Sequence, residues 1–586
     1  MCPFLIGTPF EPSNLPQNMQ IRIPISSTPS SSSNGATSTT TYHLSANNDG
    51  PRIEQQSPPS ILVVGGGFAG LAAARTLLQR QPGSHVTLLE AKDRFGGRVH
   101  SVCLAGDDHN DEQVWADLGG MFWHGHSSVY QNLAREFPHV ESIASGGDSK
   151  IPAQDSATWL RYHNNNNNNN NHHDDDDDDD GDAHCTRPHP VTNKEIERSQ
   201  ELYQEWESAM HRRYQEETSQ TNNGISIVES ETSQVLASWS SDFCAALTDP
   251  LDRELLQLRI TMSFEMDRGM PWENHTLASL DRDWDWVDIV GDDVIARHGM
   301  QGWVDAISAD IQNMGGQLLL NQRVECIEYG SLGNKKVGGC TITTEQGCIF
   351  QADYVIVTLP LGVLKAKADK LFRPPLPALK MDVLDRAGVG VLNTLLTRWN
   401  RPLSFPAKSN AYYFLQSKHA KNPLRHGFCC PSHLRQAREN SPNTVIQFHF
   451  SETNHPFDDI EYWKAQAVQI VQDVVEEPIC VDDISVARVS QWHLDSDILG
   501  AYSAATTRTR GNDDRMILGA SVGKRLFFAG EHTHTCGRYQ SMDGAYETGL
   551  RAAHKILEVL SGEIDANQSI PLANGTQYMN TLVRAA

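Results

Sequence analysis

Three glycines and one glutamate within residues 61–90 have the spacing of a dinucleotide-binding site. Gly65, Gly67 and Gly70 stand between the apolar run ILVV and the segment LAAARTLLQR, which predicts a strand, a tight turn and a helix. In such a turn the glycines permit the bend, admit a pyrophosphate to the backbone and let helix and strand pack closely. The helix N-terminus attracts the anion. Glu90 ends the next predicted strand, HVTLLE, where a carboxylate can bind ribose hydroxyls.

Arg98 indicates which dinucleotide the site holds. It follows Gly96 and Gly97 in the segment AKDRFGGRVHS (91–101), directly after the strand that ends at Glu90. A guanidinium here can pair with a diphosphate as a bidentate donor. The NAD fingerprint alone does not require such a residue, so the segment favours FAD.

A second strand–helix pattern lies near the C-terminus. The segment RLFFAGE predicts a buried strand that ends in Glu531, whose carboxylate can accept from ribityl or ribose hydroxyls. A helix is predicted to begin near Met542. Its N-terminal N–H groups and dipole suit the part of a flavin where negative charge builds on reduction.

Several further segments are typical of one protein family. They are DLGGMFWHG (117–125), GDDVIARHGMQGWVDAIS (291–308), NQRVECIEY (321–329), ADYVIVTLPLGVLK (352–365), FRPPLPALK (372–380) and SMDGAYETGLRAAHKI (541–556). Together they resemble the flavin amine oxidases, whose branches include polyamine oxidases, monoamine oxidases and histone-lysine demethylases. The resemblance covers roughly residues 60–140 and 240–560 and is closest in pattern to the polyamine oxidases.

The resemblance implies an α/β (α+β) fold, with a Rossmann-like FAD-binding domain interleaved with a substrate domain of mixed sheet and helices. It also implies oxidation of a C–N bond of a polyamine or related amine by hydride transfer to flavin N5, with oxygen as the expected acceptor. The FAD is expected to be noncovalent. Monoamine oxidases attach their flavin through a cysteine in an SGGC context, and Cys536 in HTCGRYQ lacks that context.

The glycine motif and the resemblance together predict the residues that contact FAD. They are Gly65, Gly67, Phe68, Ala69, Gly70, Glu90, Ala91, Arg98, Gly119, Gly120, Met121, Phe122, Val324, Trp492, Gly530, Glu531, Ser541 and Met542.

Aromatic residues are expected to form the substrate side, because they desolvate an amine and orient it. Trp492 and Tyr502 match aromatic positions near the flavin in the resemblance. Several family members have a tyrosine just before the final helix, where this chain has Ser541. The cavity is therefore expected to be wider than a monoamine oxidase cage, with Tyr539 filling part of it.

Three further residues are candidates for binding the amine. His124 in FWHGH matches a histidine placed over the substrate in animal polyamine oxidases, and it could accept from or help to deprotonate an amine. A lone histidine is also often structural. Glu265 and Asp267 in SFEMDRG could bind a distal ammonium, although a solvated acidic pair explains them equally well.

Thr394 departs from the family pattern. The segment GVGVLNTLLTRW (388–399) is predicted to be a buried strand, and in the resemblance it aligns with a strand that ends in LNK. That lysine holds a water against flavin N5 and helps electron transfer to oxygen by its charge. Thr394 could hold a water but supplies no charge. No lysine occurs between Lys380 and Lys408, so slow reaction with oxygen is expected.

The threonine leaves three interpretations open. The first is an amine oxidase that is slow with oxygen or tuned to an unusual amine. The second is a flavoprotein of the same fold that uses another electron acceptor or a non-polyamine metabolite. The third is a catalytically weak flavoprotein. A chromatin demethylase is disfavoured for two reasons. The chain shows no long coiled-coil insertion, and its net negative charge does not favour contacts with a nucleosome.

Composition limits the partners and the cellular location that are expected. The 586 residues carry a net charge of −25, which argues against nucleic acid as partner and is compatible with cationic substrates. The 11 cysteines lack zinc spacing, so no metal is predicted.

No apolar run is long enough to span a membrane. The MCPFLIG start is too short for a signal-peptide core, and LVRAA carries no peroxisomal address, so a cytoplasmic location is expected. The sequence does not indicate an oligomeric state.

The domain organisation is predicted from composition and from the resemblance. Disorder is expected over 1–59, a low-complexity insertion over 145–190 and a loose tail over 563–586. The FAD-binding domain is predicted from segments 60–140, 292–360 and 495–562, and the substrate domain from 191–291 and 361–494. Helices are predicted in 193–217, 252–266 and 302–314, and strands in 352–359 and 444–450.

Overall fold

The protein was analysed as a computed structural model that describes most of the chain between residues 58 and 562. The described ranges are 58–104, 114–144, 158–161, 189–219, 233–261, 269–270, 274–277, 291, 293–330, 339–405, 412–415, 421–424, 427–429, 445–451, 453–535 and 537–562. The predictions of disorder over 1–59 and of a loose tail over 563–586 fall almost wholly or wholly outside these ranges.

The described residues form eleven α-helices. They are α1 (Phe68–Arg80), α2 (Ser128–Glu136), α3 (Asn193–Ser219), α4 (Leu236–Ala246), α5 (Pro250–Thr261), α6 (Gln301–Asn313), α7 (Leu361–Leu371), α8 (Ala378–Arg386), α9 (Ile460–Val474), α10 (Asn512–Gly519) and α11 (Met542–Ser561). No helix in this part of the chain is long and apolar enough to cross a bilayer.

The strands of the described ranges number twenty-two. They are β1 (Ser60–Val64), β2 (His85–Leu89), β3 (Ser101–Cys103), β4 (Trp115–Asp117), β5 (Ser142–Ala144), β6 (Thr158–Arg161), β7 (His189–Pro190), β8 (Val294–Ala296), β9 (Gln317–Leu319), β10 (Val324–Glu328), β11 (Cys340–Thr344), β12 (Ile349–Ala352), β13 (Tyr354–Val357), β14 (Phe372–Arg373), β15 (Gly388–Val389), β16 (Asn393–Trp399), β17 (Tyr412–Leu415), β18 (Gly427–Cys429), β19 (Val445–Phe450), β20 (Ile484–Val489), β21 (Ser503–Ala504) and β22 (Leu526–Phe528). The strands β6 and β7 lie inside the predicted 145–190 insertion.

A parallel five-stranded sheet, in the order β22-β13-β1-β2-β9, supports one side of the molecule. Both of its faces are covered. Ile61 and Val63 of β1 belong to one apolar core, and Leu62 and Val64 belong to another. Such double burial explains the unbroken apolar run ILVV, since both faces of a parallel sheet are packed. Together with the helices, this sheet confirms the predicted α/β class.

The helices α1 and α11 pack against each other on this sheet. An ideal Cβ on Gly549 of α11 would lie 2.2 Å from the carbonyl oxygen of Ala69 in α1. The two helices therefore meet backbone to backbone. The first residues of both helices, Phe68 and Met542, line one cavity.

A mixed seven-stranded sheet, in the order β20-β16-β19-β18-β17-β6-β7, forms the other large layer. Every residue of β16 is buried. An aromatic-rich core packs on this sheet, with α9 contributing Trp463 beside Phe450 of β19, their ring centroids 4.6 Å apart. A separate apolar cluster joins the helices α3, α4 and α5.

Most of the predicted elements are present, with two differences. The helices at 193–217 and 302–314 and the strands within 352–359 and 444–450 are confirmed, and the 252–266 helix is described as far as Thr261. The prediction of one strand over 388–399 is wrong, because the chain leaves the strand at Gly390–Leu392. There the Gly390 N–H donates to the Tyr502 carbonyl at 2.8 Å and the Val391 N–H to the Gly269 carbonyl at 2.7 Å. The second difference is at Glu531, which begins a short 3₁₀ turn after β22 instead of ending a strand.

The predicted domain boundaries stay a prediction. The five-stranded sheet takes strands from residues 60–89, 317–357 and 526–528, which lie far apart in the sequence.

Candidate active site

One cavity of about 880 Å³ runs between the two large sheets. At one end it is lined by the residues that follow four neighbouring parallel strands: Gly65 after β1, Glu90 after β2, Thr358 after β13 and Gly530 after β22. The carboxyl ends of parallel strands are where α/β sheets bind ligands. At the other end the lining comes from β16, β19 and the helices α3 and α5.

The glycine turn is shaped by two close approaches of backbone. Gly65 has φ +108°, and an ideal Cβ there would lie 2.7 Å from Thr358 Oγ1. A Cβ on Gly70 would lie 2.0 Å from the Gly65 carbonyl oxygen. At Gly67 the nearest atom to such a Cβ is 4.0 Å away, and this residue lines the cavity. Two glycines thus close the turn, while the middle one leaves room for a ligand.

Glu90 closes the turn from the neighbouring strand. Its Oε2 accepts from the Gly66 N–H at 2.6 Å, and its Oε1 accepts from the Lys92 N–H at 2.9 Å. Burial raises the pKa of Glu90 despite these hydrogen bonds. The carboxylate lines the cavity, so it can both hold the glycine turn and bind a ligand hydroxyl.

Glu531 is the centre of a second polar cluster on the cavity wall. Its carboxylate accepts from the Ser503 N–H at 3.0 Å and hydroxyl at 2.7 Å, and from the Gln540 N–H at 3.0 Å. Arg98 Nη1 pairs with it at 3.0 Å. Burial alone would raise the pKa of Glu531, but the charge of Arg98 and the hydrogen bond from Ser503 help to outweigh burial and lower the pKa to about 2.

Arg98 connects this cluster to the cavity. Its Nη1 donates to the Ala501 carbonyl at 2.8 Å as well as to Glu531. Among the described residues its hydrogen bonds use Nη1 alone, so Nε and Nη2 can still donate to an anion. Because Arg98 lines the cavity, such an anion would lie beside the glycine turn.

The N-terminus of α11 forms the adjoining wall. Ser541 caps the helix by accepting from the Gly544 N–H at 3.0 Å, and it donates to the Arg538 carbonyl at 2.7 Å. Ser541 and Met542 both line the cavity. A Cβ on Gly119 would lie 1.8 Å from the Arg98 carbonyl oxygen, which makes glycine necessary in the loop that faces this helix.

Thr394 of β16 lines the cavity. Its N–H donates to Ser490 Oγ at 2.7 Å, and its carbonyl accepts from the Ser490 N–H at 2.8 Å. Its hydroxyl lies 3.3 Å from His449 Nδ1 on the neighbouring strand β19. Tyr502 and Trp492 line the same region, and Trp492 is held by a 3.1 Å hydrogen bond from its Nε1 to the Leu118 carbonyl.

His124 lines the cavity beside a carboxylate. Its Nδ1 is 3.4 Å from Asp293 Oδ2, and Asp293 Oδ1 also accepts from the Gly125 N–H at 3.1 Å. Both side chains are partly exposed and line the cavity. An imidazole held in this way can exchange a proton with a bound amine.

Larger side chains from the helices α3 and α5 and from the strand β18 also line the cavity. They are Gln200 and Tyr203 of α3, Arg259 of α5 and Phe428 of β18. Arg259 is buried and its Nε donates to Ser199 Oγ at 3.1 Å. The cavity lining thus includes aromatic, amide and cationic groups from these elements.

The structure brings most of the predicted site residues to this one cavity. Those that line it are His124, Thr394, Tyr502, Gly65, Gly67, Phe68, Ala69, Glu90, Ala91, Arg98, Gly119, Gly120, Met121, Phe122, Val324, Trp492, Gly530, Glu531, Ser541 and Met542. Their predicted roles remain predictions.

Two predicted site residues in the described part of the chain, Gly70 and Tyr539, do not line the cavity. Gly70 is packed inside the turn, in keeping with its spacing role. Tyr539 was expected to fill part of the cavity, but it is only 1% exposed and stacks on the Arg515 guanidinium at 3.7 Å from its ring centroid. This cation–π contact holds the ring away from the cavity. Glu265 and Asp267 lie outside the described residues, as does Cys536.

Several lining residues were missed by the sequence analysis. Thr358 donates to the carbonyls of Val64 and Gly65 at 2.9 and 3.0 Å and so holds the glycine turn. Asp293 pairs with His124. His449 had a readable signal, because Gln447 and His449 occupy alternate positions of the apolar strand VIQFHF and must share one face.

Comparison with known proteins agrees with the dinucleotide site. Residues 68–557 match the family model described as flavin-containing amine oxidoreductase. A rice protein named lysine-specific histone demethylase 1 homolog 2 is 27% identical over 85% of this chain and 57% of its own length. The FLOWERING LOCUS D protein of Arabidopsis thaliana is 32% identical over 47% of this chain and 33% of its own length. A redesigned putrescine oxidase shares the fold, with a TM-score of 0.60 and 15% identity over 85% of this chain and 99% of that one.

Proposed function

Because the chain belongs to the family of flavin-containing amine oxidoreductases, we propose that it oxidises a polyamine or a related small amine, with molecular oxygen as the final acceptor. One observation carries the proposal. One end of the cavity is a dinucleotide cradle, formed by the glycine turn and the carboxylates Glu90 and Glu531. The same cavity continues into a chamber lined by Tyr502, Thr394 and His124. Such a chamber can hold an amine against the reactive end of a flavin and exclude water.

FAD is the cofactor of the protein, and the residues of the cradle fit it. The open position at Gly67 admits the diphosphate, with Arg98 as a cationic donor beside it. Glu90 and Glu531 offer carboxylates for hydroxyl groups of the ribose and ribityl chain. Bound FAD supplies the acceptor for the hydride equivalent that leaves the amine carbon.

The protein side chains bind and orient the amine. The rings of Tyr502 and Trp492 give an apolar wall that favours the neutral amine over the ammonium ion. His124, held by Asp293, lies where it can accept a proton as the ammonium ion enters. The net charge of −25 attracts cationic amines to the protein.

A methylated lysine side chain is the second candidate substrate. It is favoured by the names of the plant relatives, which are called histone demethylase homologues. The chain spans about 57% of the length of those two relatives, so their likeness extends to only part of each protein. Both candidates are amines whose C–N bond would be oxidised in the same chamber.

The test is anaerobic reduction of the bound flavin. The purified holoprotein is mixed without oxygen with polyamines, monoamines, amino acids and a dimethyl-lysine peptide, and the flavin absorbance is followed. We expect a polyamine or another small amine to bleach the flavin, and air to restore the absorbance. Bleaching by the methylated peptide alone would support the second candidate. If dithionite bleaches the flavin and no amine does, the proposed function is wrong.

A further inference from the structure

Thr394, His449 and Gln447 form a row of polar side chains in the cavity wall. Thr394 lies directly opposite His449 in the antiparallel pairing of β16 with β19. Gln447 is two residues earlier on β19 and so lies on the same face. Thr394 Oγ1 is 3.3 Å from His449 Nδ1, and His449 Nε2 is 3.3 Å from the amide of Gln447.

The sheet fixes this row in position. Thr394 is bonded through both its N–H and its carbonyl to Ser490, which follows β20 on the other side. Gln447 is completely buried, whereas Thr394 and His449 line the cavity. The row therefore runs from the cavity into the sheet, with the threonine hydroxyl and the imidazole at its open end.

A base role for His449 requires its Nδ1 to be an acceptor, with the ring proton on Nε2. Gln447 Oε1 is buried and has no hydrogen-bond partner among the described residues. The orientation of a side-chain amide is assigned from its hydrogen bonds, and turning the amide over places Oε1 against His449 Nε2. Nε2 then donates to Gln447, and Nδ1 accepts from the Thr394 hydroxyl. Burial lowers the pKa of His449 to about 4, so the ring is neutral at pH 7.

We propose that Thr394 and His449, oriented by Gln447, act as a general base that adds water to the imine formed by amine oxidation. The inference rests on the proposed function, since only oxidation of a C–N bond supplies the imine. The ligand of this site is a water molecule beside a protonated imine. Hydrolysis would then be completed inside the cavity, with a carbonyl compound and an amine as the released products.

The water-addition step is a proton relay without oxidation or reduction. The water oxygen bonds to the imine carbon, and the C=N π pair moves onto nitrogen. One water proton passes to Thr394 Oγ1 while the threonine proton passes to His449 Nδ1. In the second step the C–N bond breaks, and the nitrogen leaves as an ammonium ion. It takes one proton back from His449 through Thr394 and one from the new hydroxyl group, which becomes the carbonyl.

A neutral base of low pKa suits this step. The oxygen of the newly added water is strongly acidic, so a weakly basic imidazole can accept its proton. A lysine ammonium has three donors and no acceptor, so the lysine that the family resemblance places at position 394 could not take this proton. The exchange of lysine for threonine, with a histidine opposite, thus changes a permanent charge into a proton acceptor.

The experiment is an anaerobic single turnover of the holoprotein with an amine that bleaches its flavin. Samples are quenched with borodeuteride at successive times. This reagent converts remaining imine to a deuterated amine and released carbonyl to a deuterated alcohol, which mass spectrometry separates. We expect carbonyl formation to keep pace with bleaching in the wild type. In Thr394→Val the ratio of the carbonyl rate to the bleaching rate should fall about 100-fold, the lower end for loss of a general base.

Matched variants separate catalysis from structure. Thr394→Ser retains the hydroxyl and should restore the ratio. Thr397→Val removes another buried hydroxyl of β16, one that donates to the Ile446 carbonyl away from the cavity, and should leave the ratio unchanged. His449→Ala should lower the ratio, and added imidazole should restore it, which a purely structural role would not predict. If Thr394→Val fails to bind FAD, His449→Ala provides the test in its place.

The outcomes distinguish the two proposals. If no amine bleaches the wild-type flavin, the proposed function is wrong and the hydrolytic role falls with it. If bleaching occurs and carbonyl formation is unchanged in Thr394→Val and in His449→Ala, the hydrolytic role alone is wrong. A lowered ratio in both variants, with rescue of His449→Ala by imidazole, supports it.

Discussion

The two ends of the cavity are built in different ways. The dinucleotide end is made largely of backbone, with glycines at Gly65 and Gly70, helix N-termini at α1 and α11, and two carboxylates that follow strands. The substrate end is made of side chains from α3, α5, β16 and β19, which are distant in sequence. A backbone site tolerates few residue types, whereas a side-chain site can change its chemistry by single substitutions. The exchange at Thr394 is one such substitution.

The largest effect on the free energy of unfolding is expected at Glu531, which binds Ser503, Gln540 and Arg98 in the cradle. A pKa held near 2 against the usual 4.5 corresponds to about 3 kcal/mol of folding stability. Because the folded pKa is depressed, this stability is present above about pH 4.5 and is lost as the pH falls toward 2. Glu531→Gln should therefore lower the free energy of unfolding at pH 7 by about 3 kcal/mol, measured by urea unfolding of the holoprotein.

The control for this prediction is an exposed carboxylate. Glu345 pairs with Arg323 at 3.1 Å but is 52% exposed, so Glu345→Gln should cost less than about 1 kcal/mol. An equal loss of unfolding free energy in the two variants would show that the buried Glu531 cluster stabilises the protein no more than an exposed ion pair does.

The next largest effect is expected at Gly70, where the cradle requires a close backbone approach. A Cβ there would lie 2.0 Å from the Gly65 carbonyl oxygen, so Gly70→Ala should shift the turn at a cost of about 1–3 kcal/mol. We expect the FAD content of the purified protein to fall, as measured by the ratio of absorbance at the flavin band to that of the protein. Gly302→Ala is the matched control, since the nearest atom to its Cβ lies at 3.5 Å. Full FAD content in Gly70→Ala would contradict the backbone interpretation.

At the substrate end, Thr394→Lys tests how a charge at this position affects the reaction with oxygen. A lysine here would supply the charge that the family resemblance predicts beside the flavin. We expect reoxidation of the reduced flavin by oxygen to rise about tenfold, equivalent to about 1.4 kcal/mol, measured by stopped flow. Thr394→Met, similar in length but uncharged, should give no such rise. An unchanged rate in Thr394→Lys would mean that charge at this position does not limit the reaction with oxygen.

The smallest effect is expected at Tyr502, one of several groups in the chamber wall. Replacing its ring should cost about 1 kcal/mol of amine binding, or about fivefold. Tyr502→Leu should therefore raise the amine concentration for half-maximal bleaching about fivefold, while Tyr502→Phe should change it little. A large effect of Tyr502→Phe would assign the hydroxyl, and not the ring, to the substrate.

The dinucleotide end could be predicted from sequence because its determinants are local. Gly65, Gly67, Gly70 and Glu90 lie within one strand–turn–helix–strand unit, and their spacing alone carries the geometry of the turn. The same holds for Glu531, which lies shortly before α11 in the sequence, and for Met542, which begins that helix. In contrast, the prediction that Tyr539 faces the cavity failed because Arg515, twenty-four residues earlier, stacks on its ring.

The FAD cradle, the α/β class and the threonine at position 394 follow from the amino-acid sequence alone. Which side chain stands beside that threonine depends on how the strands pair in the folded protein. The pairing of β16 with β19 brings His449 opposite Thr394, fifty-five residues apart, and strand register is set by the burial of whole faces, not by local spacing. Packing of distant elements also brings Asp293 beside His124 and brings Arg259 into the cavity wall. Residues that act through side chains from distant elements become a site only when the sheets and helices pack.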